Sequence, residues 1–160
     1  MISSATRASI LHAFVGLLFD RRYDAIRAGD IIAASGVGRS TFYNHFKSKD
    51  DVLLAVIEPI FTVLADAAVG RANRNRLVAI LEHIWEQRAT GRLIFTTELM
   101  PRLQRKLAAM IQARWLPAEP TTSLLVATGR AASQLAMLHL WITGGVSCPT
   151  EELAVAMTVQ

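Results

Sequence analysis

The sequence predicts an all-α protein. Two-residue alternation of apolar and polar side chains is never sustained, and the clusters of β-branched and aromatic residues typical of strands are absent. Apolar residues instead recur three and four positions apart through most of the 160 residues. Glycine, proline and small polar residues fall between those runs, where helices start and stop. About nine helices are expected, with no internal repeat.

The first helix is expected over residues 4–21, capped by Ser3 or Ser4, with Ile10, Leu11, Phe14, Leu17 and Leu18 along one side. Residues 23–29 form a connection. The second helix is short, about 30–35, and Gly36 ends it because only glycine enters the left-handed region without a Cβ penalty. The third, about 39–45, is equally short. Ser48 opens the fourth, with Asp51 three residues on as a reciprocal cap. Val52, Leu53, Val56, Ile57, Ile60 and Leu64 make its apolar face, and Pro59 is a candidate kink.

Residues 70–75 are polar and basic, a loop or hinge. Leu77, Ile80, Leu81, Ile84 and Trp85 mark a fifth helix, with Gly91 as its breaker. A short segment over 92–100 leads to Pro101, and a helix follows to Trp115 with Leu103, Leu107, Met110 and Ile111 inward. Pro117 and Pro120 end it. A long helix over 122–143 stops at Gly144 and Gly145. The last begins near Thr150, with Glu151 and Glu152 at its positive dipole end.

Composition narrows the function. The chain is 52% hydrophobic with a mean hydropathy of +0.32 and 19% charged residues, which excludes intrinsic disorder. So much apolar surface calls for a core, a ligand or a partner. A single cysteine excludes an internal disulfide framework and a multi-cysteine zinc site. Residues 131–150 carry no Asp, Glu, Lys or Arg, yet Ser133, Gln134, His139, Thr143, Gly144, Gly145 and Pro149 interrupt them. Their apolar middle is too short to span a bilayer, so this is a buried or interface helix. The amphipathic first helix is not a secretory leader, which points to a cytoplasmic protein. His83 and Glu86 stand one turn apart without further ligands, Cys148 lacks a CxxC partner, and no phosphate loop occurs. No enzyme, cofactor or metal is expected.

Charge is uneven. Residues 1–50 carry seven basic side chains against four acidic, most of the net +4. The densest signal lies there, in residues 30–46, DIIAASGVGRSTFYNHF. Ile31, Ile32, Ala34 and Val37 pack inward, Phe42 and Phe46 fall four apart, and small Ala33, Ala34 and Ser35 let two helices cross closely. Between the anchors stand Arg39, Ser40, Thr41, Tyr43, Asn44 and His45. These are the side chains of a helix that enters a DNA major groove and grips the flanking phosphates. A surface helical hairpin without a ligand is the alternative.

The segment GDIIAASGVGRSTFYNHFKSKDDVLLAV closely resembles the signature of the TetR family of transcriptional repressors. The Ala-Ser-Gly-Val turn, the Thr41-Phe42-Tyr43 triplet, Phe46 and the Lys49-Asp50-Asp51 opening of the fourth helix carry it, over about residues 10–56. The resemblance implies a DNA-binding domain over residues 1–47 and an effector-binding and dimerisation domain over 48–160. It implies a homodimer whose three-helix heads read a palindromic operator in double-stranded DNA. It makes Arg39 and Ser40 base readers, Thr41, Tyr43 and His45 phosphate grips, and Lys49 a phosphate contact; Asn44 serves either purpose. Two positions depart from the pattern: Gly38 replaces the usual Ser or Thr cap, and Arg27 stands where threonine often opens the second helix, still able to reach a phosphate.

On the same grounds Phe61, Trp85, Phe95 and Met110 are nominated to line a pocket for an apolar or aromatic small-molecule effector, with core packing as the alternative for each. Glu82, His83, Glu86 and Arg88 add polar selectivity or form a solvated face. Ala131, Leu135, Leu138, His139 and Ile142 are nominated for the dimer interface, with Gly129, Ser133 and Ala136 small enough for a close crossing; the alternative is burial in one subunit. Two rivals remain: a helical interaction module with a degenerate head, and a DNA-binding regulator without an effector. Activation and repression are both open.

Overall fold

The computed structural model describes residues 4–95, 98–114 and 120–158, with the backbone alone for 120–122. The described residues form nine α-helices and one 3-10 turn. They divide into two units, Met1–Glu58 and Pro59–Gln160, and the division falls inside one helix.

The first unit holds α1 (Ser4–Asp20), the 3-10 turn Tyr23–Ala25, α2 (Ala28–Ser35), α3 (Arg39–His45) and the start of α4 (Lys49–Ala68). Ile10, Phe14 and Leu18, four apart, are the buried stripe of α1. They meet Tyr23, Ile26, Ile31, Phe42, Phe46, Val52 and Leu53, all buried. Phe14 and Tyr23 pack edge to face with centroids 6.3 Å apart. The second helix begins two residues earlier than its apolar pattern suggests. Asp30 explains this, because its carboxylate accepts the Arg27 backbone N–H at 2.7 Å and so closes the first turn. Gly36 ends α2 at φ 68°, as expected of a left-handed cap.

The opening of α4 uses both expected partners, one register apart. Ser48 Oγ accepts the Asp51 N–H at 3.2 Å, while the Asp51 carboxylate accepts the N–H of Lys47, not of Ser48, at 3.0 Å. Pro59 lies within α4, which continues to Ala68 without the N–H that proline lacks.

The second unit contains the remainder of α4, α5 (Arg74–Glu86), α6 (Arg88–Ile94), α7 (Met100–Gln112), α8 (Pro120–Ile142) and α9 (Thr150–Met157). Helix α7 packs mainly on α8, and α5 on α9. Asn73 caps α5, accepting the Arg76 N–H at 3.1 Å. Gly91 is not a breaker: α5 ends at Glu86, Gln87 bridges to α6, and Gly91 lies inside α6. A Cβ at Gly91 would lie 3.5 Å from Ile142 Cδ1, so the glycine lets α6 approach α8. Leu103, Leu107, Ala108 and Ile111 form the buried stripe of α7. Trp115 and Pro117 lie outside the described residues. The core closes with Ala127, Ala131, Leu135, Leu138, Trp141 and Ile142 of α8 and Leu153, Ala154 and Met157 of α9.

That burial corrects the expected interface. Ala131, Leu135, Leu138 and Ile142 are 0–2% exposed within the single chain, so they face its own core and offer nothing to a partner. His139 alone of that set is exposed. The opposite side of α8 carries Leu125 (70% exposed), Gly129, Ser133, Ala136 and Leu140 (50%), spaced three or four apart. A broad apolar arc was legible, but its inner half belongs to the subunit and its outer half to the surface. Among the described residues no helix is long and apolar enough to cross a membrane.

Candidate nucleic-acid interface

Helix α3 is held from beneath. Phe42 is fully buried and Phe46 is 5% exposed, with ring centroids 6.1 Å apart. Anchoring those two positions turns Arg39, Ser40, Tyr43 and Asn44 outward, all exposed. They fall at i, i+1, i+4 and i+5, which is one face of a helix. Thr41 and His45 flank that face, half-buried. Tyr43 stands edge-on to Phe42 at 5.2 Å, which fixes the ring while leaving the residue 46% exposed. The structure thus brings six of the eight nominated DNA-binding residues, Arg39 to His45 without Phe42, onto one short helix.

Arg27 is exposed at the N-cap of α2, with no side-chain capping bond. Lys49 is placed differently from expectation. Its Nζ donates to the carbonyl oxygens of Tyr23 at 2.7 Å and Ile26 at 2.8 Å, and lies 4.3 Å from the centroid of the Tyr23 ring. Asp24 O is a longer third acceptor at 3.4 Å. The ammonium therefore caps the 3-10 turn rather than reaching outward, because three carbonyls converge where α4 begins. A lysine at a helix start reads the same in sequence whether it points out or in.

Two cations were missed. Lys47 stands exposed just beyond α3, after the extended cap residue Phe46. The Arg7 guanidinium lies over the Phe46 ring at 5.5 Å, which no local pattern reveals. The acidic groups of this unit are largely engaged elsewhere. Asp30 pairs with Arg21 at 3.3 Å, and Tyr23 donates its hydroxyl to Asp50. Arg22 pairs with Asp24 at 3.2 Å and, by that hydrogen bond first, holds the Asp24 carboxyl below its usual range. The outward face of α3 thus presents donors and positive charge, and no carboxylate lies on it.

The comparisons agree with this head. Residues 10–56 match the family described as bacterial regulatory proteins, tetR family. Over those residues the head is similar to the TetR-family helix-turn-helix. Over 54 residues it is 48% identical to the uncharacterized HTH-type transcriptional regulator YwcC of Bacillus subtilis, covering 34% of this chain and 24% of that protein. It is 40% identical over 68 residues to the HTH-type transcriptional repressor LfrR of Mycolicibacterium smegmatis, covering 42% and 34%. With the dhaKLM operon transcriptional activator DhaS of Lactococcus lactis it shares 28% over 97 residues, covering 60% and 52%. The chain thus spans between a quarter and a half of these curated relatives' length, 24% to 52%.

Likeness of fold extends further. A TetR transcriptional regulator from Streptococcus agalactiae superposes with a TM-score of 0.58 at 24% identity, over 96% of this chain and 92% of that one. A solved chain of the dihydroxyacetone kinase operon activator DhaS gives 0.58 at 21%, over 97% and 93%. The likeness of fold therefore extends over the second unit as well.

In that unit the four nominated pocket residues do not share one cavity. Trp85 lines a cleft of about 440 Å³ with Glu82, Glu86, Trp141, Cys148 and Pro149. Its ring lies 4.7 Å from that of Trp141, with the Arg88 guanidinium 4.6 Å from its centroid. Trp141 is itself held by Nε1 donating to Cys148 O at 3.1 Å. Phe61 is 4% exposed, a core residue. Phe95 packs against the His139 ring at 5.9 Å, and Met110 is half-buried on α7; neither lines the cleft. Core packing thus describes Phe61 better than a pocket role. Trp141, not among the four nominated, lines the cleft from α8.

Proposed function

We propose that the protein is a homodimeric, sequence-specific DNA-binding regulator that represses from a palindromic operator and is released by a small aromatic effector. The observation that carries the reading is the outward face of α3, set on two buried phenylalanines in a segment matching the TetR family. A helix about 10–12 Å across fits a major groove about 12 Å wide. Arg39 donates to guanine O6 and N7, Ser40 and Asn44 contact base edges, and Thr41, Tyr43, His45, Lys47 and Arg27 hold phosphates. Two heads reading half-sites roughly 34–36 Å apart require two copies.

Pairing is assigned to Leu125, Gly129, Ser133, Ala136 and Leu140 of α8, with exposed Val155 of α9. Small residues between two leucines suit a close helix crossing, and such a face is costly to leave in water. The effector is assigned to the Trp85–Trp141 cleft, where Glu82 and Glu86 select against anions. Helix α4 belongs to both units, so a ligand that displaces it alters the spacing of the heads. Operator and effector affinities are then reciprocally coupled. LfrR is named a repressor and DhaS an activator, so the direction of control follows from where the operator lies.

Selection of random duplex DNA by the purified chain, repeated with candidate aromatic effectors, tests the reading. A palindromic consensus weakened by an effector is expected. Binding without sequence preference overturns the regulator reading; a consensus unaffected by any effector overturns only the switch.

A further inference from the structure

Arg7 stands in the first turn of α1 and is exposed. Its guanidinium lies over the Phe46 ring, 5.5 Å from the centroid. Phe46 is the C-cap of α3, and the His45 ring lies 6.2 Å from it, tilted by 31°. The start of α1 is thus set against the end of α3. A guanidinium laid over a ring uses its face and keeps its N–H edge for other partners. Among the described residues no ion pair or hydrogen bond takes that edge. Residues 1–19 contain no Asp or Glu, so no acidic neighbour on the same helix turn offsets the charge.

The place of this cation on the head says what it meets. Helix α3 has seven residues, so it is about 10 Å long, and the major groove is about 12 Å wide. Groups just past its end therefore fall at the phosphate rim rather than over base edges. Two cations stand there, Arg7 and exposed Lys47, with the Asp51 carboxylate accepting the Lys47 N–H at 3.0 Å. The lysine expected to grip phosphate from the start of α4 is not available, because the Lys49 ammonium is given to Tyr23 O and Ile26 O. A guanidinium edge matches two oxygens of one phosphate, which an ammonium does not.

We propose that Arg7 is a DNA-backbone contact, its guanidinium held by the Phe46 ring and donating to a phosphate at the rim beyond the C-terminal end of α3. The inference rests on the DNA-binding reading and extends that interface to α1, an element that carries none of the nominated residues. Phosphate contacts fix the register of a protein on the duplex and carry no sequence information, so Arg7 sets affinity and orientation while Arg39 reads bases. The ring fixes the side chain before DNA arrives, which lowers the ordering cost of the contact.

The test uses the full chain and a fluorescein-labelled duplex of mixed sequence, with affinity followed against salt. Arg7→Met removes the charge and keeps an unbranched side chain and a sulfur to lie on the Phe46 ring, so the thermal midpoint should hold. One phosphate contact contributes a slope of about −0.9, so the parent-to-variant affinity ratio should shrink about 3.5-fold between about 50 and 200 mM salt. Arg7→Lys keeps the charge and should restore the parent slope. Selection of random duplex by Arg7→Met should return the parent's consensus. An unchanged slope in Arg7→Met overturns the proposal, and a lower midpoint beside it leaves Arg7 as a cover for Phe46 alone. A slope that Arg7→Lys does not restore, or a consensus altered at one position, also overturns it. The DNA-binding reading fails separately: if the parent chain binds no duplex at low salt, that reading falls and this contact with it.

Discussion

Replacing Lys49 by alanine distinguishes a structural lysine from a DNA contact. The structure gives its ammonium two short bonds, 2.7 Å to Tyr23 O and 2.8 Å to Ile26 O, with the third acceptor at 3.4 Å. Hydrogen bonds to a charged group contribute roughly 1.5–3 kcal/mol each. Lys49 is half-buried, so water recovers part of that for the carbonyls left behind. A net loss of about 2 kcal/mol follows for two bonds. A unit of this size has a urea dependence near 1 kcal/mol per molar, so the unfolding midpoint of the head should fall by about 2 M. Amide hydrogen exchange over α1 to α3, followed in urea, isolates the head from the second unit. The salt dependence of DNA binding, measured where the variant is folded, should keep its slope. An unchanged midpoint with a slope reduced by about one phosphate contact would refute the reasoning and restore Lys49 to the DNA face.

Other outcomes follow from the same geometry. Arg39→Ala should relax one operator position by about 1–3 kcal/mol in the selection assay, leaving the other positions intact. Gly36→Ala should lower head stability by roughly 1 kcal/mol in thermal denaturation, since φ is 68° while a Cβ there meets nothing within 4 Å, so conformation alone is penalised. Ala136→Glu, on the outward side of α8, should convert the sedimenting species to a monomer without loss of helix by circular dichroism. The Arg22–Asp24 pair is exposed, so Asp24→Asn should barely move the midpoint at neutral pH. Because the Asp24 pKa is lowered, its small contribution is present above the ordinary carboxylate range and is lost as pH falls through the lowered value; a loss on raising pH would contradict this.

The head was legible because its determinants are local. Gly36, Phe42 and Phe46 set the turn and the buried side of α3, and everything between them then faces outward. The second unit was legible as helices but not as a site. Phe61 and Trp85 are both large aromatics on apolar stripes, yet one fills the core and the other lines a cleft. Gly91 looked like a stop because helix propensity counts glycine as a breaker; contact with Ile142 explains why it is tolerated inside α6.

The sequence by itself determined an all-α chain, the helix-turn-helix and the side chains α3 presents, since helical period and a glycine turn act over a few residues. Tertiary structure alone decided which half of the α8 arc is core, where the Lys49 ammonium points, and which carbonyls the buried Gln134 amide reaches. Each of these depends on groups 23 to 70 residues apart along the chain, as the bonds from Lys49 to Ile26 and from Gln134 to Leu64 show. Periodicity reports that a residue faces inward or outward on its own helix; it does not report what waits on the other side.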